Sequence, residues 1–150
     1  MSRSFDRWAV AIAAIQLSTR LIDAIQVGVH DAGFTDVTPL HGFAFARIAG
    51  GEATIAELGE HLGVSKQAAA QLADRLVKSG YASRHPHPRD RRAQLLRLTS
   101  RGHACTMAAR RAAEQAISQW RGELPADDVE PFEAALLSLT VSIPALRPPQ

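Results

Sequence analysis

Lys66, Gln67, Ala70 and Gln71 are spaced by one, three and four residues, which gathers them on one face of a helix. A glutamine amide sets a donor beside an acceptor, the pattern that meets adenine N6 and N7 in a major groove. Lysine meets guanine or phosphate, and an alanine methyl packs against the methyl of thymine. A second cluster follows in RHPHPRDRRA, where Arg84, Arg89, Arg91 and Arg92 surround Pro86 and Pro88, with Asp90 as the one acid. Guanidinium groups on a stiffened loop suit phosphates and a narrow, electronegative minor groove. The prolines reduce the entropy lost when such a loop docks.

These residues need elements to position them. In TIAELGEHLGVSKQAAAQLADRLVKSGY, from Thr54 to Tyr81, Thr54 and Glu57 have capping-box spacing, and Ile55, Leu58 and Leu62 form an inner helix face. Gly63 suits a left-handed residue closing that helix, and Ser65 caps the next. The second helix then places Ala69, Leu72, Ala73 and Leu76 inside, and Gln67, Ala70, Gln71, Asp74 and Lys78 outside. Gly59 and Ala69 are small where the two helices cross. After Gly80, Tyr81 to His85 and Gln94 to Thr99 read as two strands of a hairpin whose tip carries the arginines. Helix, turn, helix and basic hairpin together make a winged helix-turn-helix.

The flanks are helical. From Arg7 to about Val29 apolar residues form two stripes, Trp8, Ile12, Ile15, Ile22 and Val29 on one and Leu17, Leu21 and Ile25 on the other, so this helix needs two neighbours. Gly33 stops it. Thr38 caps and Pro39 opens a second helix ending at Gly50-Gly51. A long helix over Arg101 to about Arg121 turns Ala104, Met107, Ala108 and Ile117 inward, and Leu124-Pro125 breaks it. Asp127 or Asp128 caps a last helix through Val129, Phe132, Leu136, Leu139 and Ile143, with Pro131 tolerable only in its first turn. The tail RPPQ reads as disordered.

The 150 residues suffice for one domain with a dimerisation arm, and 46% hydrophobic against 21% charged residues is an ordinary globular balance. Net charge is only +2, yet Ser65 to Arg111 holds eleven lysines and arginines against Asp74 and Asp90, a local +9 that leaves −7 for the rest. Such asymmetry is the footprint of a polyanion-binding half joined to something else. The apolar run from Ala9 to Ile15 is too short to span a bilayer and lacks the flanks of a signal peptide, which implies a cytoplasmic protein without a membrane partner. Cys105 stands alone, in keeping with a reducing compartment.

The run LGVSKQAAAQLADRLVKSGYASRHPHPRDRRAQLLRLTSRG resembles the winged-helix core of the MarR family of bacterial regulators. That family's wing carries an Asp-x-Arg pattern, then a strand ending in Leu-Thr, then a glycine: here Asp90-Arg91-Arg92, Leu98-Thr99 and Gly102. Thr38-Pro39-Leu40 resembles the start of the family's second helix. The resemblance implies a mainly α fold and an obligate homodimer. Residues 1–37 and 101–150 would supply the dimerisation helices, and 38–100 the winged helix-turn-helix lobe. It implies a repressor on a pseudo-palindromic duplex operator, with Asp90 holding a wing arginine while Arg91 or Arg92 enters the minor groove. The expected DNA-contacting set is Thr54, Ser65, Lys66, Gln67, Ala70, Gln71, Arg75, Arg84, Arg89, Asp90, Arg91 and Arg92. By the same likeness a small aromatic ligand binds between arm and lobe, with Trp8, Ile12, His41, Phe45 and Met107 as wall residues. His41-Gly42 departs from the family, since a glycine weakens that helix.

Other chemistries fit less well. His85 and His87, with His103 or His41, have chelating spacing, but no cysteine or carboxylate cluster completes a tetrahedral site, so no metal or other cofactor is expected. A free Cys in an apolar helix reads as a small core residue, and the helix start and Arg101 near Cys105, a setting that lowers a thiol pKa, leave redox sensing as an alternative. The sequence holds no phosphate loop, nucleophile elbow or carboxylate pair across a cleft, which argues against an enzyme. A non-specific architectural DNA binder is the other alternative.

Overall fold

The computed structural model describes residues 5–140. Helix α1 (Arg7–Asp31) starts at Asp6, whose carboxylate accepts from the Trp8 N–H, and stops at Gly33, φ +96°. There the Phe34 N–H reaches back to the Val29 carbonyl. Helix α2 (Pro39–Ala49) follows Thr38, as the Thr-Pro pair predicts. Strand β1 (Ala53–Thr54) leads without a loop into α3 (Ile55–Leu62), and α4 (Lys66–Lys78) follows. The hairpin is β2 (Ala82–Pro86) and β3 (Gln94–Leu98), and the chain ends in α5 (Ser100–Glu123) and α6 (Ala126–Thr140). The result is mainly helical with one small antiparallel sheet, ordered β1-β3-β2, in which Ala53 faces Leu96 and Ala82 faces Leu98. Strand β1 has no counterpart in the sequence reading, because two residues carry no alternation to detect.

The core lies under the helix-turn-helix and the sheet. Phe45, Leu58, Leu72, Leu76, Leu96 and Tyr81 are fully buried, with Val29 and Cys105 closing it from α1 and α5. Tyr81 stacks at a tilt on Phe45 and Phe34, with centroids 5.4 and 6.2 Å away. Its hydroxyl donates to Asp36 at 2.5 Å and accepts from Arg101 at 3.0 Å. Burial, then the neighbouring carboxylate, pushes the phenol above its ordinary value, while the same hydrogen bond holds the Asp36 carboxyl down.

Helices α1 and α5 lie against each other closely enough that a Cβ on Gly28 would fall 2.4 Å from the Ala112 methyl. This contact corrects the inward face expected for α5. Gly102, Cys105, Ala108, Ala112, Ala116 and Trp120 are buried, whereas Ala104 and Met107 are exposed and Ile117 is half-buried. Small residues permit the close approach, so hydropathy points to the wrong side. The last helix also starts earlier than expected, placing Asp127 and Asp128 in its first turn and Pro131 beyond it. Ile143 and the RPPQ tail lie outside the described residues. Val129 and Phe132 are half-buried, and Leu136 and Leu139 are exposed. Helix α1 keeps one side open too: Trp8 is 72% exposed and Ile15 62%. Contrary to the reading from Ala9–Ile15 alone, α1 contains an 18-residue stretch of mean hydropathy 1.4, long and apolar enough to cross a membrane; in this fold the helix lies along α5.

Two glycines give opposite expectations. A Cβ at Gly102 would meet the Tyr81 carbonyl oxygen at 2.2 Å, so Gly102→Ala should cost about 1–3 kcal/mol in chemical denaturation. Gly42, within α2, has nothing within 4 Å of that position, and Gly42→Ala should stabilise by about 0.5–1 kcal/mol.

His41 caps α2, its Nδ1 accepting from the Thr38 N–H at 3.2 Å. Burial, aided by Arg75, pushes its imidazole below the ordinary value, against the pull of Asp36. On acidification the unfolded chain takes up that proton first. The stability tied to the neutral ring is therefore complete above about pH 6.5 and is lost as pH falls through the lower folded value. His41→Gln keeps an acceptor at the capping position and removes the titration. Unfolding curves at pH 7 and 5 should show a smaller loss for it than for the unsubstituted protein.

Candidate nucleic-acid interface

The first helix of the motif is fixed by a reciprocal cap. The Thr54 N–H donates to Glu57 Oε2 at 2.8 Å and the Glu57 N–H to Thr54 Oγ1 at 3.2 Å. The bond from the Thr54 N–H, a second from the Thr54 hydroxyl at 3.0 Å, and Arg47 nearby hold the Glu57 carboxyl below its usual range. Gly63 closes α3 at φ +67°, and Ser65 Oγ caps α4 by accepting from the Ala68 N–H at 3.1 Å. At the crossing, a Cβ on Gly59 would sit 3.3 Å from the Ala69 methyl, so the small pair does set the approach.

On α4, Ala69, Leu72, Ala73 and Leu76 are buried, as the helical projection requires. Lys66, Gln67, Gln71, Arg75 and Lys78 are exposed, and Ala70 is half-buried. The outward row of polar side chains is thus continuous along the helix. Asp74 interrupts it in sequence but not in charge, because its carboxylate pairs with the Arg84 guanidinium on β2. Arg84 also donates to Gln94 Oε1 on β3 at 2.8 Å. Arg84, expected on phosphate, here joins α4 to the hairpin as a strut.

At the hairpin tip Arg89, Arg91 and Arg92 are exposed, and among the described residues none forms an ion pair. Asp90 does not hold a guanidinium, as expected, but accepts from the Arg92 backbone N–H at 2.9 Å and so shapes the turn. His87, which the sequence places on phosphate or in plain exposure, also closes the turn. Its Nδ1 accepts from the backbone N–H groups of Arg89 and Asp90. Farther back, Arg97 pairs with Glu52 and Arg101 with Asp36, which neutralises the basic segment away from α4 and the tip.

The five expected ligand-wall residues are not gathered in one cavity. Phe45 is core, His41 is a helix cap, Trp8 and Met107 are exposed, and Ile12 is half-buried. Of the five, His41 alone lines the cavity it shares with Asp36, Arg75, Leu76, Lys78, Ser79 and Tyr81. Cys105 is buried, and burial pushes its thiol up to about 11, opposite to the lowering expected from Arg101. A thiol so placed is a poor nucleophile, against the redox alternative. His85 Nε2 meets Ser83 Oγ at 2.9 Å, and among the described residues no group of three His, Cys, Asp or Glu is placed to hold a metal ion.

No curated protein matches this sequence. The family model described as MarR family matches residues 35–93, which span α2, the helix-turn-helix and the wing tip. Among solved structures, RV1404 from Mycobacterium tuberculosis superposes with a TM-score of 0.81 at 21% identity, covering 96% of this chain and 99% of that one. The apo form of wild-type MarR from E. coli gives 0.71 at 22% identity over 86% and 95%. A mutant of that MarR complexed with operator DNA gives 0.66 at 22% identity over 87% and 93%. The family match covers the lobe that carries α4 and the wing, and the fold shared with these structures along most of the chain is the winged helix-turn-helix.

Proposed function

We propose that this protein is a sequence-specific transcriptional regulator that binds duplex DNA as a homodimer. The observation that carries the reading is the continuous exposed face of α4 beside a wing whose three tip arginines form no ion pair among the described residues, while Asp74 is neutralised by Arg84. Lys66, Gln67, Ala70 and Gln71 read base edges in the major groove, Thr54, Ser65, Arg75 and Arg89 contact the phosphate backbone, and Arg91 or Arg92 enters the minor groove. The homologue crystallised on operator DNA supports this assignment.

Pairing of two copies has its own support. Trp8, Val10 and Ile15 on α1 and Leu136, Leu137 and Leu139 on α6 leave large apolar side chains in water, and a groove between α5 and α6 is lined by Ile117, Trp120, Val129 and Phe132. A two-fold dimer places its recognition helices on half-sites about one turn, roughly 10 base pairs, apart. Repression by covering a promoter, release by a small aromatic ligand and a cytoplasmic location complete the proposal on family likeness. If saturating aromatic acids leave both DNA affinity and thermal stability unchanged, the ligand part falls.

Selection from a random duplex library tests the whole. A two-fold symmetric consensus bound at least about 10³ tighter than scrambled duplex establishes a specific regulator, and no consensus favours an architectural binder. With the consensus in hand, Gln71→Ala should relax discrimination at one or two base positions, whereas Arg89→Ala should weaken binding to all sequences alike. Uniform loss in both would misplace the recognition face.

A further inference from the structure

The tip of the wing is closed by an imidazole. His87 Nδ1 accepts from the backbone N–H of Arg89 and of Asp90, each at 3.1 Å. Ala93 N–H to Asp90 O, at 3.1 Å, and His87 N–H to Ala93 O, at 3.3 Å, complete the turn. Nδ1 stands the same number of bonds from Cα as the Oδ1 of asparagine or aspartate, the side chains that ordinarily accept from amides two and three residues ahead. The chemical difference is decisive. A carboxamide oxygen accepts at any pH, but an imidazole accepts at Nδ1 only while that nitrogen carries no proton, and the imidazolium is a donor at both nitrogens. Protonation therefore sets one N–H against two others, and the backbone it releases carries the tip arginines.

The geometry points to His87 as the positioning residue of the wing: its neutral ring holds the loop that presents Arg89, Arg91 and Arg92, so acidification loosens the loop and weakens DNA binding. The inference rests on the DNA-binding reading above. Its direction opposes simple charge counting, because an added positive charge strengthens attraction to phosphate. The charged groups near the ring are Arg89, Asp90, Arg91 and Arg92 in the loop and Glu57 at the start of α3, within Coulomb reach of a protonated His87. On β2, His85 faces Ser83 Oγ.

The test uses the full chain and three proteins: unsubstituted, His87→Asn and His87→Ala. Without DNA, the Arg89 and Asp90 amide resonances should titrate between pH 8 and 5.5 in the unsubstituted protein and stay fixed in His87→Asn. On the selected duplex at fixed salt, the unsubstituted protein should lose about tenfold in affinity over that range. His87→Asn should bind as tightly at pH 8 and change less than about threefold, while His87→Ala should be weak at both pH values. Amides that do not titrate, an affinity that rises or holds on acidification, or failure of asparagine to restore what alanine loses would each overturn the proposal. Should no variant bind any duplex at pH 8, the DNA-binding reading fails, and the amide titration still decides what His87 does to the loop.

Discussion

Tyr81 joins parts of the molecule that are distant along the chain. Its ring fills the space between Phe34 and Phe45, its hydroxyl stands between Asp36 and Arg101, and its carbonyl accepts from the Thr99 N–H at 3.0 Å. Such a buried ring removes a large apolar area from water, and hydrogen bonds to charged groups add about 1.5–3 kcal/mol each. Everything on either side is built around it. Gly80, at φ +77°, turns α4 into the buried position, and Gly102 lets α5 start directly on the Tyr81 carbonyl. The Thr99 hydroxyl donates to the Gly80 carbonyl at 2.6 Å and caps α5 as well. The end of the recognition helix is thereby fastened to the start of the arm helix by hard contacts, which leaves little slack between them.

Charge is arranged with the same economy. The +9 of the basic half overstates what a polyanion would meet, since Arg84, Arg97 and Arg101 are each paired within the fold. Among the described residues of that half, the cations without such partners are Lys66, Arg75 and Lys78 on α4, Arg89, Arg91 and Arg92 at the hairpin tip, and Arg111 on α5. An acid on a surface meant for phosphate is ordinarily costly. Here Asp74 fixes the angle of the hairpin to the helix, and its own charge is cancelled in doing so.

Much of this was legible in the residues. Caps at Thr54, Ser65 and Thr38, the left-handed Gly63 and the inner faces of α3 and α4 follow from local rules, because each depends on neighbours within one turn. The readings that failed depend on partners far along the chain or on an unexpected bond within a turn. The inward side of α5 is set by Gly28 meeting Ala112, and nothing in an alanine announces that a helix will lie on it. Family likeness has Asp90 hold a guanidinium and charge puts Arg84 on phosphate, yet Asp90 bonds backbone and Arg84 bonds Asp74. Phe45 was placed on a ligand wall before its stacking on Tyr81 was visible. His87 escaped because its role copies that of asparagine in a turn, a substitution of chemistry that spacing alone does not reveal.

The two residues of β1 end where α3 begins, with Thr54 both paired to Leu95 and capping the helix. The helix-turn-helix is therefore sewn to the middle strand of the wing with no intervening linker, and Arg84 sews the other end. Helix and hairpin form one stiff body, so the conformational entropy of aligning them is surrendered once, during folding, and not again at each encounter. Only the short tip from His87 to Ala93 is left to adjust, which confines adaptation to a different duplex to the smallest part of the surface.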